Sequence, residues 1–246
     1  MKIVNNDLSA HWYTKDGKAA HDADLRRARK EGLLPSVSTI QKIKSNPFLE
    51  SWKIEQAILS ALTLPKLINE DEFTFAKRVA KDSQEGSRAA ADEGTRIHGL
   101  CEDYLKHGVI DPKVESFASW IKDMGGRWTS EKIYICEDYA GCVDLHSDTI
   151  IADIKTQDVK DKPNFYDSYA VQLAAYSDLV PCVFESYISI VIDRKTGRLF
   201  EKTWTEDEIY RARLIFHNLK SIWKLERNYY PEKVLFDNKE TLMKLV

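Results

Sequence analysis

The chain has 246 residues, 43% of them apolar and 30% charged, which is the make-up of a soluble globular protein with length enough for one sizeable core. A formal net charge of −3 excludes a global basic field, so a polyanion would have to be met by local cations or by metal ions. No apolar run is long enough to span a bilayer and the start carries no signal-peptide core, so an intracellular, cytoplasmic protein without membrane contacts is expected.

The N-terminal part reads as helical. "LLPSVSTIQKIK" (33–44) places Pro35 and Ser36 before an apolar-periodic run, with Ser36 or Ser38 as the cap. "NPFLESWKIEQAILSAL" (46–62) starts a second helix, with Asn46 as N-cap and Pro47 at its first position. Residues 71–108 form a long helix or a helix pair, with Gly86 and Gly94 as candidate breaks and Gly108 as the stop. A further amphipathic helix covers 115–125.

The middle changes character. Residues 131–138, 140–147 and 149–156 are rich in Ile, Val and Tyr and read as three strands with short connections. A helix follows over 166–180, then a β-hairpin over 186–204 turning at "RKTG". The last helix opens with a capping box, Thr205 to Glu208, and runs to Pro231. This order predicts a mixed α/β (α+β) fold: a central mixed sheet flanked by helices. It divides the 246 residues into a mostly helical N-terminal lobe (1–125) and an α/β core (126–246) within one domain.

One stretch is unusual. In "TIIADIKTQD" (149–158), Asp153 and Lys155 are two residues apart in an apolar strand and so share a face. Isoleucines at 150, 151 and 154 fall on both faces, as in a central strand, where charges are rare. If the chain turns at Ser147-Asp148, Asp144 lies on the neighbouring strand, and two carboxylates brought together call for a cation between them. Oxygen donors of this kind suit Mg²⁺ or Mn²⁺, and a lysine beside them suits metal-assisted hydrolysis of a phosphodiester. Alone, Asp153 and Lys155 also fit a surface salt bridge. The four cysteines (Cys101, Cys136, Cys142 and Cys182) form no CxxC pair, which argues against a zinc ribbon, and Cys136 and Cys142, in strand-like apolar surroundings, read as small core residues in a reducing compartment.

"EGTRIHGLCEDYL" (93–105), "EKIYIC" (131–136), "GCVD" (141–144), "ADIKT" (152–156) and "QLAAY" (172–176) follow the order and spacing of the PD-(D/E)XK nucleases. The chain resembles their RecB-type branch, which includes phage-type exonucleases, the mitochondrial genome maintenance exonuclease and CRISPR-associated adaptation nucleases. The resemblance implies a restriction-endonuclease-like core and a metal-dependent DNA exonuclease. It makes Asp144, Asp153, His98 and the backbone carbonyl of Ile154 metal ligands and Lys155 the catalytic lysine. Glu131 would bind metal through water or hold Lys155. Gln172 and Tyr176, at i and i+4 on one helix face, would border the site and the DNA. Glu102, one turn after His98, is a candidate to orient its imidazole. A His among carboxylates keeps Mn²⁺ beside Mg²⁺. The cysteine pattern of the iron–sulfur relatives is missing, so no cluster is expected, and no Walker A motif adds a helicase motor.

DNA contacts are read onto Arg88 and Arg96, the basic stretches 26–30 and 76–81, Lys42, Lys44 and Lys53, and a phosphate at the helix start Ser36–Ser38. Trp52, Phe73 and Phe75 are candidates to stack on bases. The resemblance also implies a partner of the single-strand-annealing or replication and recombination kind. Rival readings are a structure-specific endonuclease and an inactive DNA-binding protein on the same core.

Overall fold

The computed structural model describes residues 11–44 and 47–231. The fold is mixed α/β, with a five-stranded mixed sheet between two helical layers. The strands are β1 (Trp12–Tyr13) and β2 (Leu34–Pro35), which pair as a small antiparallel ribbon, and β3 (Thr129–Ile135), β4 (Ala140–His146), β5 (Ile150–Gln157), β6 (Ser186–Asp193) and β7 (Leu199–Trp204), which lie in that order in the main sheet. β3, β4 and β5 form an antiparallel meander, β5 and β6 run parallel, and β6 and β7 close an antiparallel hairpin.

The helices are α1 (Leu25–Glu31), α2 (Val37–Gln41), α3 (Pro47–Thr63), α4 (Glu72–His107), α5 (Glu115–Met124), α6 (Asp167–Ser177) and α7 (Glu206–Arg227). The cap expected at Asn46 lies outside the described residues. The expected stop at Gly108 and the expected capping box at Thr205 act as read, and α4 also has a cap that was not anticipated. Asp71 caps α4, its carboxylate accepting from Phe73 N and Thr74 N, and Gly108 ends the helix in the left-handed conformation at φ 69°. At α7 the capping box is complete: Glu208 N donates to Thr205 Oγ1, and Thr205 N to the Glu208 carboxylate.

β5 sits at the centre of the sheet, as its two-faced isoleucines imply. Ala152 and Ile154 face α4 and α5, in a cluster with Ile97, Cys101, Phe117 and Ile190. Ile151 faces the opposite layer, which holds α1, α2, α6 and α7 around Ile40, Leu173 and Phe216. Each large side chain so removed from water contributes about 1.5–3 kcal/mol of gross burial. The sequence from Trp12 to Ile40 thus packs into the same apolar cluster as α6 and α7.

The expected breaks at Gly86 and Gly94 do not occur: α4 is one helix of 36 residues. Gly94 has a packing reason instead. A β-carbon there would stand 2.9 Å from Thr156 Oγ1, so the missing side chain lets α4 lie against β5. Beyond Gly94 toward its N-terminus, α4 leaves the sheet and packs with α3 as a helical arm, joined by the Ser60 hydroxyl donating to Asp82 at 2.8 Å.

Gly94→Ala should therefore lower stability by about 1–3 kcal/mol, and Thr156→Ala in the same chain should restore most of it, whereas Thr156→Ser, which keeps the Oγ, should not. Urea denaturation of the single and double variants measures this.

Candidate metal centre and groove

The β-ladders open where the charged residues lie. β4 and β5 pair only at Leu145↔Ala152 and His146↔Ile151, next to the expected turn, where Ser147 N donates to Ile150 O at 2.8 Å. The next pair in register would be Asp144 with Asp153, but there the strands part. Ile154 N, which would otherwise seek a carbonyl, donates to the Asp144 carboxylate at 2.8 Å. On the other side the β3–β4 ladder skips the pair Glu131 with Asp144. Glu131 takes a left-handed backbone, φ 47°, which costs a non-glycine residue about 1–2 kcal/mol. Register thus aligns Glu131, Asp144 and Asp153 in one row across three strands.

His98 reaches this row from α4. Its Nδ1 is 3.7 Å from Glu131 Oε1 and 3.9 Å from Asp144 Oδ2. These separations are too long for hydrogen bonds. The three residues each offer a ligand atom, all within 4.8 Å of one another, and all three side chains keep some exposure. Two carboxylates and an imidazole around one gap are compatible with a divalent cation, because hard oxygen donors and one nitrogen suit such an ion and it offsets their mutual repulsion. Burial alone would lower the pKa of His98. Glu131 and Asp144 outweigh it, and the imidazole is held above the ordinary histidine value. The Cys142 thiol donates to Glu131 Oε2 at 3.3 Å, a contact that reading it as a core residue missed.

Asp153 stands beside this group rather than in it. Its side chain is fully buried on the α6 side of β5, and Lys155 Nζ lies 2.7 Å from each carboxylate oxygen. Oδ1 accepts the hydrogen bond; Oδ2 lies outside bonding geometry and has no hydrogen-bond partner. Burial raises the pKa of Asp153, and Asp144 adds to the rise against Lys155. Lys155 in turn stays above its ordinary value, because Asp153 and Asp144 outweigh its burial. Its ammonium also sits over the Tyr169 ring, 5.6 Å from the centroid. On the same helix Gln172 Nε2 donates to the Tyr176 hydroxyl at 2.8 Å, and the Tyr176 ring fills the space that Gly141 leaves open, 2.5 Å from where a β-carbon would stand. The i, i+4 pair expected at Gln172 and Tyr176 is therefore formed, underneath the carboxylate row.

The open side of the row borders a groove of about 1040 Å³ between the arm and the sheet. His98, Glu131, Asp144, Ile154 and Lys155 line one end; Trp52 of α3 lines it as well. Arg194, from the turn between β6 and β7, and Asp158 are lining residues that were missed. The "RKTG" stretch signalled only a turn, and nothing local tied it to β5. Several expected contacts are not brought here. Ser36 is buried and its hydroxyl is engaged by Thr39, and Ser38 hydrogen-bonds Ser36, so that helix start is closed to a phosphate. Arg96 pairs with Glu93 at 2.8 Å and Arg88 turns to Gln84, both away from the groove lining. Glu102 lines the groove but pairs with Lys106, not with His98.

No family model and no curated protein matches this sequence. The structure is similar to the crystal structure of SSO0001, with a TM-score of 0.37 and 17% identity over 79% of this chain and 98% of that one. It is also similar to a "putative exonuclease" from Eubacterium rectale, with a TM-score of 0.40 and 15% identity over 64% of this chain and 74% of that one. Likeness at this level carries nothing about chemistry, which rests on the side chains above. Among the described residues no helix is long and apolar enough to cross a membrane.

The strain at Glu131 predicts a trade. Glu131→Asn, a residue that tolerates the left-handed region, should raise the melting midpoint by about 2–4 °C while weakening Mn²⁺ binding. Calorimetry reads both. A cation must also displace the proton that the carboxylates hold on His98, so Mn²⁺ affinity by titration calorimetry should fall as pH drops from about 8 to about 6, and less steeply in His98→Ala.

Proposed function

We propose that the protein is a divalent-metal-dependent nuclease that hydrolyses DNA phosphodiester bonds, acting at strand ends. The observation that supports this most directly is the meeting of His98, Glu131 and Asp144 with the Lys155–Asp153 pair at one end of one groove. The residue pattern of the PD-(D/E)XK nucleases supports the same reading.

In this reading His98, Glu131 and Asp144 would hold a divalent cation, and the chemistry it would supply there is Lewis acidity. Lys155 is the charged group poised beside them. Asp153 fixes the ammonium through the 2.7 Å contact, and the Tyr169 ring flanks it, so it meets charge on the phosphate without first being reoriented. Asp153 remains a candidate ligand through Oδ2, which has no hydrogen-bond partner. Gln172 and Tyr176 support the row from below. The Ile154 carbonyl assigned by the resemblance stays a proposal; its amide anchors Asp144.

Lys155→Ala should reduce cleavage of an end-labelled DNA by about 10²–10³-fold, and His98→Ala should do so with a matching loss of Mn²⁺ binding. EDTA should abolish cleavage. Full activity in EDTA or in Lys155→Ala sinks the proposal, and cutting of covalently closed circles turns it toward an endonuclease.

A further inference from the structure

We propose that the groove receives a single strand of nucleic acid, with Arg194 on a phosphate and Trp52 on a base. The inference rests on the nuclease reading of the residues at the groove's end, and it goes beyond that reading in naming the substrate form and two residues that grip it.

Charge is the first reason. Among the described residues the cationic side chains lining the groove are Lys155 and Arg194, beside His98, against four carboxylates: Glu102, Glu131, Asp144 and Asp158. Both are ion-paired, Lys155 with Asp153 at the carboxylate end and Arg194 with Asp158 farther along, so neither adds a surplus of positive charge. A duplex brings twice the phosphate charge per unit length of a single strand into this acidic cleft, with no basic stripe to meet its second backbone. What remains to hold a chain is stacking, which any unpaired base can supply and a paired one cannot.

The walls fit that demand. Trp52 is 41% exposed, lines the groove from α3, and has no ring partner among the described residues. Between it and the carboxylate row, α4 presents Ala90, Ala91 and Gly94, which put no long side chain in the way of a sugar–phosphate backbone. Arg194 is held ready on the sheet side. Its Nε donates to Asp158 Oδ1 at 2.8 Å and its amide to Gln157 O at 2.9 Å, while Lys113 binds its carbonyl. The backbone is thereby anchored and the guanidinium is oriented through Nε, while its terminal nitrogens have no acceptor among the described residues. A fixed fork of this kind matches phosphate oxygens better than an ammonium does.

The test is fluorescence anisotropy with a labelled single-stranded oligonucleotide and the duplex of the same sequence, in EDTA at low salt so that nothing is cut. The single strand should bind more tightly than the duplex. Trp52→Ala and Arg194→Ala should each weaken single-strand binding about tenfold. Trp52→Phe should recover most of it, Arg194→Lys should not, and Arg194→Ala should also shallow the salt dependence by about one ion. Circular dichroism checks that each variant is folded. Duplex binding equal to or tighter than single-strand binding, no binding of either, or folded variants that bind like the parent overturn the proposal. Cleavage by the parent in Mn²⁺ is scored separately. Cleavage with indifferent variants leaves the nuclease reading and discards this one; single-strand binding that needs Trp52 and Arg194, with no cleavage in any metal, does the reverse.

Discussion

The hydrogen bond from Ile154 N to the Asp144 carboxylate is the contact on which the site depends. A backbone donor inside a sheet must find an acceptor, and here a side chain takes the place of the neighbouring strand. That substitution lets β4 and β5 separate after two ladder pairs without leaving a buried amide unmet. The fork so opened is where His98 enters from α4 and where Glu131, in its strained conformation, meets Asp144. Had the ladder continued, Asp144 and Asp153 would face each other within a closed sheet and no cleft would reach them.

Gly94 does the corresponding work on the helix. His98 can reach the fork because α4 lies close on β5, and α4 lies close because Gly94 has no β-carbon to meet Thr156. The same helix then runs on as the arm that supplies the groove's far wall. One long rigid element thus sets both the reach of the imidazole and the width of the groove, and a shift of either would be felt by the other.

Charge management follows a related logic. Asp153 is fully buried, on a strand whose neighbours Ala152 and Ile154 are core residues, and a lone carboxylate there would be costly. Lys155 at 2.7 Å offsets that cost and is itself kept charged by it. The pair is thus a structural necessity and a preset cation at once. Among the described residues, the groove lining carries more acids than bases.

Local chemistry let the sequence alone determine a great deal: the capping box at Thr205, the stop at Gly108, the turn after His146, the central character of β5, and the shared face of Asp153 and Lys155. Each depends on neighbours within a few residues, so spacing and residue type suffice. Tertiary structure decided the rest. It gathered His98, Glu131 and Asp144 from a helix and two strands while setting Asp153 apart with its lysine. It closed the helix start at Ser36 that looked open to a phosphate. It turned Gly94 from an apparent break into a packing contact, and brought Arg194 and Trp52 to one groove. These outcomes depend on ladder register, on where two strands part and on how near a helix can approach a sheet, and those distances are set by contacts between residues far apart in the chain.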